Sequence, residues 1–243
     1  MSSRPDGESR PASLVEPKAA GSARGGSAVP GPSGPDPAGS EDPRPEVRVL
    51  CVCRANQFRS VAAAALLAQA AGDAALGWGE RLVVTSAGTE AIPGRRPLSA
   101  VVSWLAGAGV DVSAHGAHRL EPADVEASDL VLTMTRSQLR EVILLAPAAK
   151  TRAFTLPELV RRLAVEGGRK PDEPLRSLFG RLAATRPSGD LLGPGDLDDL
   201  EEPPTVAGLP AVLRKMAALI DDAAEALWPG RGADGTTSLG PSA

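Results

Sequence analysis

One run constrains this chain more than any other: Val47-Arg48-Val49-Leu50-Cys51-Val52-Cys53-Arg54-Ala55-Asn56-Gln57-Phe58-Arg59-Ser60. Its first half is nearly continuous apolar sequence, which suits a parallel strand buried on both faces. A short loop follows, and a helix-forming, alanine-rich stretch begins at Ser60. Cys53 closes the strand, and Arg59 stands six positions later with Ser60 beside it. A strand–loop–helix junction turns backbone N–H groups and the positive end of the helix dipole toward one point. An arginine there offers a planar fork for two phosphate oxygens. A thiol in such a field ionises readily, and the thiolate is the nucleophile. Ser60 is placed to hydrogen-bond that sulfur. The Cys–Arg pair alone also fits a buried strand cysteine and a surface helical arginine; the strand, helix and serine around it favour a phosphate cradle.

The downstream pattern alternates strands and helices. Strands are expected at 81–85, 129–135 and 152–155, and helices at 60–71, 97–108, 121–126, 137–145, 157–165 and 209–228. In the last, Leu209, Val212, Leu213, Met216, Leu219, Ile220 and Leu227 recur at spacings of three and four. This order implies an α/β fold, a three-layer, four-stranded parallel sheet with helices on both faces. Ligands of such sheets sit outside the carboxyl ends of the strands, where the Cys53 loop falls.

Residues 1–45, rich in Pro, Gly, Ser and Ala, bury too little to offset their ordering entropy. They are read as a disordered tail, and so are 229–243. The domain is expected over 46–228, with 167–195 as a surface insertion. Two cysteines cannot build a disulfide framework, which suits a reducing, cytoplasmic setting. No run reads as apolar enough to span a bilayer, and no membrane partner is expected. The net charge of −4 gives no argument for nucleic acid. Two histidines and no cysteine cluster argue against a metal centre, and no cofactor is implied.

Val52–Ser60 resembles the signature loop of the low-molecular-weight protein tyrosine phosphatase family. Thr85-Ser86-Ala87-Gly88-Thr89, Asp111-Val112-Ser113-Ala114-His115 and Ser128–Met134 resemble further elements of that family, in the same order. The resemblance implies hydrolysis of phosphotyrosine or a related aryl phosphate through a cysteinyl-phosphate intermediate, with a phosphorylated protein or small aryl phosphate as partner. Carried over by position, Cys53 is the nucleophile and Arg59 the clamp, while Arg54, Ala55, Asn56, Gln57, Phe58 and Ser60 form the substrate-binding loop. Asn56 would take a left-handed conformation, which asparagine tolerates, braced by Ser60 and Ser86. His115 would brace the loop from behind.

The pattern also departs from the family. The general acid, normally an Asp-Pro pair before the last helix, becomes Glu202-Pro203, with Asp198 and Asp199 as nearby alternatives. Pro204 replaces an aromatic, Phe58 a second loop cysteine, and Arg54 and Gln57 apolar rim residues. The mouth is therefore expected to be more polar and basic. These departures give a second reading, a phosphate-binding pseudophosphatase that docks a partner, and the resemblance gives a third, a thiol-dependent arsenate reductase, since the same cradle binds arsenate in related proteins. The latter lacks the relay cysteines of its thioredoxin-coupled relatives.

Overall fold

A computed structural model of the chain describes residues 44–187, 191 and 199–230. The expected tails lie almost wholly outside these residues, as do Asp198 and part of the expected insertion.

Four parallel strands form one sheet in the order β2-β1-β3-β4: β1 (Glu46–Cys53), β2 (Arg81–Gly88), β3 (Leu130–Thr133) and β4 (Ala153–Thr155). The helices are α1 (Arg59–Gly77), α2 (Ser99–Gly107), α3 (Pro122–Glu126), α4 (Arg136–Leu145), α5 (Leu156–Glu166), α6 (Leu175–Ala184) and α7 (Leu209–Leu227). The two-residue period of β1 divides the core. Val49, Cys51 and Cys53 face one apolar layer with α1, α2, α5, α6 and α7. Leu50 and Val52 face a smaller layer with Val125 of α3 and Leu139 and Val142 of α4. The sheet is therefore covered on both faces, as a parallel sheet requires. The chain leaves β1 for β2 on one side and reaches β3 on the other, so the carboxyl end of β1 is the switch point where such folds bind ligands.

Alanines 62–65 of α1 are buried. Their small side chains let the helix lie close on the sheet, while Leu66 and Leu67, both fully buried, fill the space beyond. Truncating either leucine to alanine costs about 2–5 kcal/mol by the usual cavity scale. Helix α2 ends where expected: Gly109 has φ 79°, Gly109 N–H donates to the Ala106 carbonyl and Val110 N–H to that of Leu105. That pair of bonds is the glycine-terminated Schellman arrangement.

Three expectations are corrected. Residues 86–88, beyond the end of the strand expected at 81–85, extend β2, because Ser86, Ala87 and Gly88 pair with Cys51, Val52 and Cys53. The 167–195 segment is no surface insertion where it is described. Leu175, Leu178, Phe179 and Leu182 of α6 enter the main core, and the buried Arg169 makes two short bonds to Glu80. An amphipathic stripe of that kind is stable only when covered. Third, α1 is long and apolar enough by composition to cross a membrane. Its alanines make it so, and most of the helix lies inside the fold as the core helix.

Candidate active site

The loop 54–58 leaves β1 and turns into α1, whose first turn has no side-chain cap. The opening N–H groups of a helix lack intrahelical partners, so this end is open to an anion. Cys53 is 2% exposed. Its Sγ lies 3.0 Å from Ser60 Oγ and accepts from the Asn56 backbone N–H at 3.3 Å. The neighbouring Cys51 is different. Burial, reinforced by the charge of Cys53, pushes its thiol far above the ordinary range, so it stays a neutral packing group.

Asn56 is the keystone of the loop. It has φ 52° and no solvent exposure. Its Nδ2 donates to Ser60 Oγ and to Ser86 Oγ, both at 2.9 Å. Its Oδ1 accepts from the His118 backbone N–H at 2.8 Å. His115 Nε2 lies 3.2 Å from the Asn56 carbonyl oxygen. Burial holds the His115 imidazole below its usual range, and the bond to Asn56 opposes that only in part. A neutral ring with its proton on Nε2 therefore donates to that carbonyl. Glycine is required at position 88 by close approach: a Cβ there would stand 2.6 Å from the Arg54 carbonyl oxygen and 2.8 Å from the Asn56 nitrogen. Thr89 N–H and Glu90 N–H tie the same turn to the carbonyls of Cys53 and Arg54.

Arg59 is 3% exposed. Nη1 donates to the Leu200 carbonyl at 3.0 Å, and Nη2 lies 3.2 Å from Glu202 Oε2. The Glu202 carboxylate is also 3.9 Å from Arg54 Nη2. The segment bearing it is anchored by Leu200 N–H, which donates to the Met134 carbonyl, and by Asp199, which accepts from the Arg136 N–H at the start of α4. Asp199 is thus engaged at the start of α4. A cleft of about 510 Å³ opens over Arg54 and Arg59, walled by Thr89, Glu90, the start of α4 and Glu201–Pro203.

The fold thus gathers Cys53, Arg54, Ala55, Asn56, Arg59, Ser60, Ser86, His115 and Glu202 around one loop. Two expected rim residues behave otherwise. The Phe58 side chain is 3% exposed and belongs to the core, because the position entering α1 faces the apolar layer. Gln57 is half-buried, and its amide donates to the Arg96 carbonyl at 2.7 Å, tying the loop to the segment before α2. The sequence reading missed His118 and Leu200, which act through backbone groups that no side-chain pattern reveals, and Gly88, whose place in a matched motif was the available signal.

A parallel α/β sheet carries, at its switch point, a cysteine, an asparagine-braced loop and a buried arginine, an arrangement suited to holding a phosphate group. Residues 48–174 match the family described as low molecular weight phosphotyrosine protein phosphatase. A probable low-molecular-weight protein-tyrosine-phosphatase EpsP of Ralstonia solanacearum is 34% identical over 111 residues, 46% of this chain and 71% of that protein. The chain belongs to the low-molecular-weight phosphotyrosine protein phosphatase family, and it is a hydrolase of that type. Among solved structures, YfkJ from Bacillus subtilis superposes with TM-score 0.52 at 18% identity, over 73% of this chain and 91% of that one. A YwlE arginine phosphatase mutant with a phosphorylated active-site serine gives 0.51 at 21%, over 76% and 98%. At these identities the two structures speak for the fold alone.

Proposed function

We propose that the protein hydrolyses phosphotyrosine or a related aryl phosphate through a cysteinyl-phosphate intermediate. The observation that carries this reading is the position of Cys53 Sγ, 3.0 Å from Ser60 Oγ and in contact with the Asn56 N–H, at the floor of a loop closed by a buried arginine. Arg59 holds two phosphoryl oxygens, and the loop N–H groups hold the rest of the developing charge. The Cys53 thiolate attacks phosphorus as the P–O ester bond breaks. Glu202 delivers its proton to the departing phenolate. Water then attacks the phosphocysteine, giving its proton to Glu202, and the P–S bond breaks to release phosphate. Ser60 donates to the sulfur when it carries charge, which helps it both to attack and to leave.

Hydrolysis of p-nitrophenyl phosphate by the native chain and by Cys53→Ser tests the assignment. Native turnover with none in the variant is the expected result. Turnover by Cys53→Ser at the native rate sinks the nucleophile assignment, and no turnover by either chain sinks the activity.

A further inference from the structure

The cleft above the loop has a charge balance that phosphate binding does not call for. Four carboxylates, Glu90, Glu141, Glu201 and Glu202, line it against two guanidiniums, Arg54 and Arg59. Arg59 is nine-tenths buried and more, and its Nε has no hydrogen-bond partner among the described residues. An orphaned buried donor facing a cleft marks the place of a ligand. Glu202 is shared between the two arginines, and an entering phosphate dianion would take up what positive charge remains. Glu90, Glu141 and Glu201 are exposed and form no ion pair among the described residues. They come from three separate segments: the turn after β2, helix α4 and the stretch before α7. They therefore converge on the cleft from different sides and do not form one solvated helix face. Among the described residues that line the cleft none is aromatic, so recognition of the group around the phosphate falls to charge.

We propose that Glu90, Glu141 and Glu201 form an acidic wall that selects phosphorylated peptides with lysine or arginine beside the phosphorylated residue. The inference rests on the phosphatase reading above and adds a substrate class to it. Exposed ion pairs contribute modestly each, so three together predict a preference of roughly tenfold. They are also screened by salt.

The test uses two phosphotyrosyl peptides of equal length, one flanked by lysines and one by glutamates. Turnover is measured with the native chain, and binding with Cys53→Ser by fluorescence anisotropy. The expected result is a kcat/KM ratio of roughly ten in favour of the lysine peptide at low salt, shrinking as salt rises. In the Glu90→Gln, Glu141→Gln, Glu201→Gln triple variant the ratio should fall at least about threefold. Turnover of both peptides at equal rates overturns the acidic wall and leaves the phosphatase reading standing. A lysine preference in binding without any turnover does the reverse. No binding and no turnover of either peptide overturns both. A preference that survives both salt and the triple variant removes these carboxylates from the role.

Discussion

Replacing Asn56 tests the logic of the loop most directly. The side chain makes three hydrogen bonds, to Ser60, Ser86 and the His118 N–H, at 2.8–2.9 Å in a site with no solvent exposure. Each such bond is worth about 0.5–1.5 kcal/mol net. The backbone at φ 52° adds about 1 kcal/mol or more for a residue with a Cβ and no local hydrogen bond. Asn56→Ala should therefore lose about 3–5 kcal/mol. At roughly 2–4 °C per kcal/mol for a domain of this size, the melting temperature should fall by about 6–20 °C. Asn56→Gly loses the same bonds without the strain, and should recover about 1 kcal/mol of the deficit. Asn56→Asp keeps the acceptor for His118 and the tolerance of left-handed backbone. It also puts a negative charge behind the phosphate site, so inhibition by inorganic phosphate should weaken more than stability does. Urea denaturation separates the terms, and phosphate inhibition of p-nitrophenyl phosphate turnover reports the loop. Alanine and glycine variants both within about 0.5 kcal/mol of the native chain would refute the keystone role.

Three further predictions follow from named contacts. Gly88→Ala drives a Cβ to 2.6 Å from the Arg54 carbonyl, so the loop must shift; kcat/KM should drop at least about tenfold while the melting temperature falls only a few degrees. Glu202→Gln should slow phosphotyrosine by up to about 10²-fold and p-nitrophenyl phosphate much less, since its leaving group needs less protonation; equal slowing of both removes Glu202 from the acid role. Removing that carboxylate from Arg59 should also lower the inhibition constant for inorganic phosphate. His115 is held neutral by burial: as pH falls through the ordinary histidine range near 6.5, the unfolded chain takes up a proton that the folded chain refuses, so stability declines as pH falls through that range and levels off below the depressed folded value. His115→Gln should flatten that decline in melting temperature, and an unchanged slope would refute the linkage.

The first half of the site was readable because it is local. A strand, five intervening residues and a helix start bring Cys53, Asn56, Arg59 and Ser60 together within one turn of chain, and short-range geometry leaves little choice. Composition and periodicity likewise determined a parallel α/β sheet and an amphipathic final helix. Side-chain direction was another matter. Phe58 sits in the loop by sequence, yet its side chain lies in the core, because entry into α1 turns that position toward the apolar layer. The basic mouth expected from Arg54 is outweighed by carboxylates from segments distant in sequence. Helix α6 counted as surface until its apolar stripe met the core beside α5. Glu202 reaches Arg59 across 143 positions, and the Leu200 carbonyl across 141. Such partners are chosen by packing and by backbone atoms every residue shares. From its sequence alone the chain determined the β1–α1 loop that holds Cys53, Asn56, Arg59 and Ser60 together; only the tertiary structure decided what surrounds them, because the walls come from separate segments that the folded core brings together.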